Sequence, residues 1–279
     1  MNPTIVIDAQ QCVQCGRCVQ VCPSAIYAGT KGSLIQVMRP KYCIECGHCV
    51  DVCPTNALRH ESFPVEKIHC VDRSILPTPS SLMELIRSRR SNRTITDNPI
   101  PENILQDILE AARYAPTAEN SRKVRITILN IEQIQEVEDA TMSFFLGLAR
   151  FLMNPVIRPI TKLCIPGLYQ EAPELFRFEK RWRAGERPCT CNAATLLVFS
   201  TPKGYNFGWQ DCNLAYQNAS LMAEVHGVSQ VYMGLVQSAL KYMTSKRVSH
   251  LLHLPEKHRQ YAIMALGFPA FRYNKYTER

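Results

Sequence analysis

The sequence predicts an α+β protein of two domains, and three observations carry that expectation. Its 279 residues exceed the usual length of a single domain. Of thirteen cysteines, eight crowd into the first sixty residues. The rest of the chain alternates helical apolar stripes with short β-branched runs. At 46% hydrophobic and 20% charged residues the composition is that of a chain folded throughout. The start shows no basic segment leading into an apolar one, and no stretch reaches the roughly 18 apolar residues needed to span a bilayer. The longest candidate, Met142 to Met153, contains Arg150. A cytoplasmic location with no membrane partner is expected, and there thiols stay reduced. The cysteines therefore read as metal ligands and not as a disulfide framework.

The first element is a duplicated motif. Cys12, Cys15, Cys18 and Cys22 are followed by Pro23, and Cys43, Cys46, Cys49 and Cys53 by Pro54. Each set reads C-x2-C-x2-C-x3-C-P. The repeat is 31 residues, Cys12 to Cys43, and it also aligns Gly16 with Gly47, Val19 with Val50 and Val21 with Val52. Short spacing lets backbone N–H groups point at sulfur, and glycine allows the close approach. This run resembles that of bacterial ferredoxins, where three cysteines hold one 4Fe–4S cluster and the fourth holds the other. The resemblance implies a ferredoxin-like domain over residues 1–62. Cluster one would take Cys12, Cys15, Cys18 and Cys53, and cluster two Cys43, Cys46, Cys49 and Cys22. Zinc knuckles, the alternative, need two pairs of ligands, not three close thiolates with one displaced. Cys70, Cys164, Cys189, Cys191 and Cys212 form no comparable array and receive no role.

The formal net charge of +8 counts every cysteine as a neutral thiol. Eight thiolates and two oxidised clusters lower it to roughly +4. Without a basic tract interleaved with aromatics, a nucleic-acid partner is not expected.

Residues 63–80 read as a linker, with prolines at 64, 77 and 79. The second domain then spans 81–279. Ser81 to Arg90 carries apolar residues at 82, 85 and 86 and ends in arginines. Glu102 to Ala115 follows as a helix opened by Pro101, and Val124 to Leu129 as a strand. Asp211 to Gly227 reads as a long helix with small and apolar residues on most faces.

Arg89, Arg90, Ser91, Asn92 and Arg93, followed by AARYAPTAEN over Ala111 to Asn120, resemble the two opening signatures of the FMN-dependent nitroreductase family. Asp211 to Gly227 is similar to that family's central helix, and Ala262 to Pro269 to its last strand. The resemblance covers most of residues 82–279 and is weakest between about 138 and 205. It implies a nitroreductase-like α+β sandwich, assembled as a homodimer with FMN at the subunit interface. Arg89, Arg90 and Arg93 would grip the FMN phosphate, since guanidinium forks suit a dianion. Ser91 would add a hydroxyl, Asn120 an amide to the isoalloxazine edge, and Arg272 and Lys275 further cations from the last segment. Arg122 and Lys123 stand where the family commonly has Gln-Pro-Trp residues. If they faced the flavin they would raise its potential.

The function expected is reduction of a small organic acceptor, such as a nitroaromatic, a quinone or an activated alkene. An external ferredoxin-like donor or NAD(P)H would supply electrons, the clusters would pass them singly, and FMN N5 would deliver a hydride. The alternatives are an electron-transfer protein without its own substrate, and a flavin-dependent dehydrogenase or dehalogenase. No catalytic acid or base is required, so His226, His250, His253 and His258 are expected to be structural or solvent-facing. The region 141–188 is expected either to cover the flavin or to pack on a partner subunit.

Overall fold

The computed structural model describes residues 3–278, apart from the side chains at 168 and 171. By its contacts the chain forms two units. One runs to Leu76 and takes in Ala118–Ser121. The other comprises Pro77–Thr117 and the chain from Arg122 onward.

In the first unit the order is β1 (Ile5–Ile7), α1 (Arg17–Val21), β2 (Tyr27–Ala28), β3 (Gln36–Val37), α2 (His48–Asp51) and β4 (Leu58–His60). Strands β1 and β4 pair antiparallel, with Ile5 opposite His60 and Ile7 opposite Leu58, and β2 pairs with β3. Both helices begin at a glycine in the left-handed region, Gly16 at φ 72° and Gly47 at φ 81°. A side chain there would be strained, so the glycines permit the turn from cysteine loop to helix. Ile26, Tyr27, Ile35, Cys49, Val50 and Leu58 form the small core.

The second unit runs α3 (Pro79–Ser88), α4 (Glu102–Arg113), β5 (Arg125–Leu129), α5 (Ile131–Leu152), α6 (Arg158–Cys164), α7 (Pro166–Arg183), β6 (Thr195–Pro202), α8 (Gly208–Val225), β7 (Ser229–Tyr232), α9 (Gly234–Leu240), α10 (Ser245–Leu251) and β8 (His258–Gly267). Its sheet is antiparallel in the order β5-β6-β8-β7. The period of two sorts side chains between the faces. Leu196, Val198, Ile263 and Ala265 face a cluster with Ile134, Val137, Val236 and Leu251 from α5, α9 and α10. Leu197, Phe199, Ala262 and Met264 face the opposite way, against Leu105, Ile108 and Leu109 of α4 and Ala215 and Ala219 of α8. Helices on both faces of one sheet make the expected α+β sandwich, each fully buried Leu or Phe contributing about 1.5–3 kcal/mol.

Local differences from the expected elements have physical causes. Helix α3 starts two residues early because Thr78 Oγ1 accepts the Ser81 N–H at 3.2 Å and Pro79 occupies the first turn. It also ends earlier, so Arg89 and Arg90 lie just past its C-terminus. Helix α5 opens on a capping box between Asn130 and Gln133 and reaches into the region 141–188, which continues as α6 and α7.

Candidate functional site

The eight motif cysteines line two separate cavities. Cys12, Cys15, Cys18 and Cys53 surround one, together with Ile7 and Leu58. Cys22, Cys43, Cys46 and Cys49 surround the other, together with His60. Each cavity therefore draws three sulfurs from one repeat and the fourth from the other.

Polar groups aim at these sulfurs. The Glu45 N–H donates to Cys43 Sγ at 3.4 Å. Burial raises the Cys53 thiol, but the N–H groups of Thr55, Leu58 and Ala57 outweigh it and the net shift is downward. Burial is also the main cause raising Cys18, Cys43 and Cys49. The buried Tyr27 hydroxyl lies by Cys49, and burial pushes its phenol upward. A chain that gathers four thiols around each of two cavities, with amides turned toward them, fits anionic iron–sulfur clusters. Among the described residues, no trio of His, Cys, Asp or Glu is placed to hold a single metal ion.

Within the second unit the arginine cluster lies beside the C-terminal segment. Ile86, Arg87, Arg89, Arg90, Gln217 and Tyr276 line one cleft. Arg90 also lines a second, with Asn92, Glu224, Gly227, Ser229 and Arg272. The structure thus brings Arg89, Arg90 and Arg272 to adjoining clefts. Lys275 and Ser91 line neither, and Arg93 stands near Cys191, whose thiol burial raises and Arg93 lowers. The framework is a set of hydrogen bonds the motifs do not announce. Asn92 Nδ2 donates to Phe271 O at 2.9 Å, Thr96 N to Phe268 O at 2.8 Å, and Ala270 N to Thr94 O at 2.9 Å. Ser91 bridges to Gln230, whose side chain bonds Tyr216 Oη and Arg90 O. Arg87 caps the Tyr276 ring at 5.3 Å.

Asn120 folds with the first unit. Its Nδ2 donates to Ile44 O at 3.1 Å and to Glu45 O at 2.7 Å, so the amide N–H groups expected at a flavin edge are engaged by the loop between Cys43 and Cys46. Positive φ at Glu119 and Asn120, 54° and 51°, sets that turn. Lys123 Nζ sits 4.6 Å from the Tyr205 ring centroid.

Other titratable groups have local partners. His226 Nε2 lies 2.9 Å from Asp107 Oδ2. Glu138, fully buried, accepts from the N–H groups of Cys189 and Thr190 at 2.9 and 2.8 Å and from Thr190 Oγ1 at 2.9 Å, and burial raises its carboxyl. Cys189 Sγ donates to Met142 Sδ at 3.3 Å, and burial pushes the Cys212 thiol up to about 12.

Residues 86–268 match the Nitroreductase family, and residues 4–54 match a 4Fe–4S dicluster domain. The first unit is thus a site for two 4Fe–4S clusters. The chloronitrobenzene nitroreductase of Comamonas testosteroni is 33% identical over 72 residues, 26% of this chain and 32% of that protein. The nitrobenzene nitroreductase of Ectopseudomonas oleovorans is 31% identical over 70 residues, 25% of this chain and 31% of that protein. The chain thus matches about a third of the length of either relative. A crystal structure of a nitroreductase with bound FMN from Bacteroides fragilis superposes with a TM-score of 0.53 at 21% identity, over 71% of this chain and 94% of that one, a likeness of fold.

Proposed function

Because this chain belongs to the nitroreductase family and carries a 4Fe–4S dicluster domain ahead of that fold, we propose that it is an FMN-dependent reductase fed through its own clusters. The observation that carries this reading is the presence, in one chain, of two four-cysteine cages and a nitroreductase-family sandwich. When bound, the clusters supply single low-potential electrons and FMN supplies conversion between one-electron and two-electron transfer.

The chain's own residues have distinct tasks. Cys12, Cys15, Cys18 and Cys53 hold one cluster, and Cys43, Cys46, Cys49 and Cys22 the other. Arg89, Arg90 and Arg272 bind the FMN phosphate as charge-assisted donors, because their clefts adjoin and the hydrogen bonds of the Asn92 side chain and the Thr96 backbone fix the two segments that bear them. Arg93, Ser91 and Lys275 remain candidates for the same cofactor from outside those clefts. For Asn120, a role at the ring rests on its carbonyl oxygen, since its N–H groups are engaged. The reaction is reduction of a nitroaromatic, quinone or activated alkene, with a ferredoxin-like protein or NAD(P)H as donor, in the cytoplasm. No described helix is long and apolar enough to cross a membrane. A second copy of the chain covers α3, whose Leu82, Met83 and Ile86 are all exposed.

Anaerobically purified protein is the test. About one FMN and about eight iron atoms per chain, with turnover of a nitroaromatic or quinone driven by reduced ferredoxin, are the expected results. Iron without flavin, even after incubation with FMN, would remove the arginine assignment. Full loading without turnover across the three acceptor classes would favour a pure electron carrier. Size-exclusion chromatography should return twice the mass of 31.7 kDa.

A further inference from the structure

The two cysteine cages descend from one repeat, so a side chain present at one and missing at the other is a difference between otherwise matched sites. Adding 31 to a position in the first repeat gives its counterpart in the second. Cys12 corresponds to Cys43, Tyr27 to Leu58, and Gly29 to His60. His60 Nε2 lies 3.4 Å from Cys43 Sγ, while the counterpart position, 29, has no side chain to offer Cys12. The cage of Cys12 is walled instead by Ile7, Ile35 and Leu58.

The direction of the His60 bond is fixed by its other nitrogen. The backbone N–H of Ser62 donates to Nδ1 at 3.1 Å, so Nδ1 is the acceptor and the proton sits on Nε2. The ring is held firmly. His60 is 4% exposed, closes β4 opposite Ile5, accepts the Phe63 N–H at its carbonyl and packs on the Phe63 ring at 4.9 Å. An N–H that donates to a ligand thiolate withdraws negative charge from the cluster and stabilises its reduced form, which carries one more electron. Tyr27, with its hydroxyl near Cys49 of the same cage where the other cage has Leu58, adds to the imbalance.

We propose that His60 is a positioning residue that sets the Cys22, Cys43, Cys46 and Cys49 cluster at a higher potential than its twin through an Nε2–H bond to Cys43 Sγ. One electron entering the domain then rests on that cluster. The transfer oxidises the Cys12, Cys15, Cys18 and Cys53 cluster and reduces its twin by one electron, with no proton moved. The proposal rests on the two-cluster reading and is independent of FMN or any acceptor.

The test uses the full chain, anaerobic, with iron measured first so that failure of the two-cluster reading shows itself as an iron content well short of about eight. Redox titration followed by electron paramagnetic resonance should give two reduction steps. His60→Leu should move the higher step to lower potential and leave the other in place, and His60→Gln, which keeps an amide N–H near Nε2, should restore it. Unchanged steps in an iron-replete His60→Leu protein would overturn the proposal. If His60→Leu loses iron, wild-type protein labelled with nitrogen-15 histidine decides. Pulsed resonance on the cluster reduced first should show a histidine nitrogen coupling, retained in His48→Ala protein. Absence of that coupling, or its appearance only on the cluster reduced last, would equally overturn it.

Discussion

The two units are held together by different physics. In the first, six buried residues form the core and no strand exceeds three residues, whereas the second packs sixteen buried residues on each face of a four-stranded sheet. A unit of only 80 residues with so small a core needs another source of stability. Its cages provide one, because each draws cysteines from both repeats and so ties the two halves together. The difference leads to the expectation that in the first unit cofactor binding and folding are one equilibrium, whereas the second folds mainly on apolar burial.

The harshest way to break that comparison is to remove iron. Chelation under oxidising conditions should unfold the first unit entirely and leave the second folded. Limited proteolysis should then cut N-terminal to Leu76 while a fragment holding residues 122–278 survives. An apoprotein with protease resistance throughout would mean that the small core suffices. The next largest effect is expected from Cys22→Ser. It removes the displaced ligand of one cage, so iron should fall by about half and the thermal transition of the first unit should drop sharply. Cys70→Ser, at an exposed cysteine outside both cages, is the matched control and should change neither.

On the other side of the comparison, Phe199→Ala empties a fully buried site in the α4 and α8 face of the sheet. It should cost about 3–5 kcal/mol in urea unfolding of the second unit, with the iron content unchanged. Loss of iron in this variant would show that the two units do not fold independently.

These contrasts also explain what could be read from the residues. The eight cysteines were legible because ligand geometry constrains spacing within a short loop, whereas their division into two crossed sets was what the ferredoxin resemblance implied. Helix α4 was legible because its apolar stripe is interrupted by polar residues at the right period. Strand β6 was not, since TLLVFSTP is buried on both faces and shows no alternation. The start of α3 was missed although Thr78 and Pro79 signal it, because prolines nearby gave a linker composition. The hydrogen bonds of Asn120 to residues 44 and 45 lie 75 and more positions away in sequence, and nothing local encodes them. The same holds for Gln230 and Tyr216, which support Arg90 from separate elements, and for His60, whose place beside Cys43 follows from strand pairing.

The smallest effect is expected at Glu138, and it sharpens the claim that the second unit depends on burial. This carboxyl sits in the core side of α5, and burial raises its pKa above the ordinary value despite three hydrogen bonds. A raised folded pKa means that the native state holds the proton more tightly than the unfolded chain does. Stability from this group is therefore complete below the ordinary glutamate pKa and declines as pH rises through the folded value. Wild-type protein should lose part of the second unit's stability over that window. Glu138→Gln carries no titrating proton, so it should remove this slope. Its cost should be roughly constant with pH and come from turning an amide N–H toward one of the two backbone donors, Cys189 or Thr190. Urea unfolding of both proteins from pH 4 to pH 8 gives the difference directly, with groups that titrate alike in both cancelling. A difference that does not vary with pH would mean that the hydrogen bonds offset burial at this carboxylate, and a reversed slope that they outweigh it and that the second unit too draws stability from a buried charge.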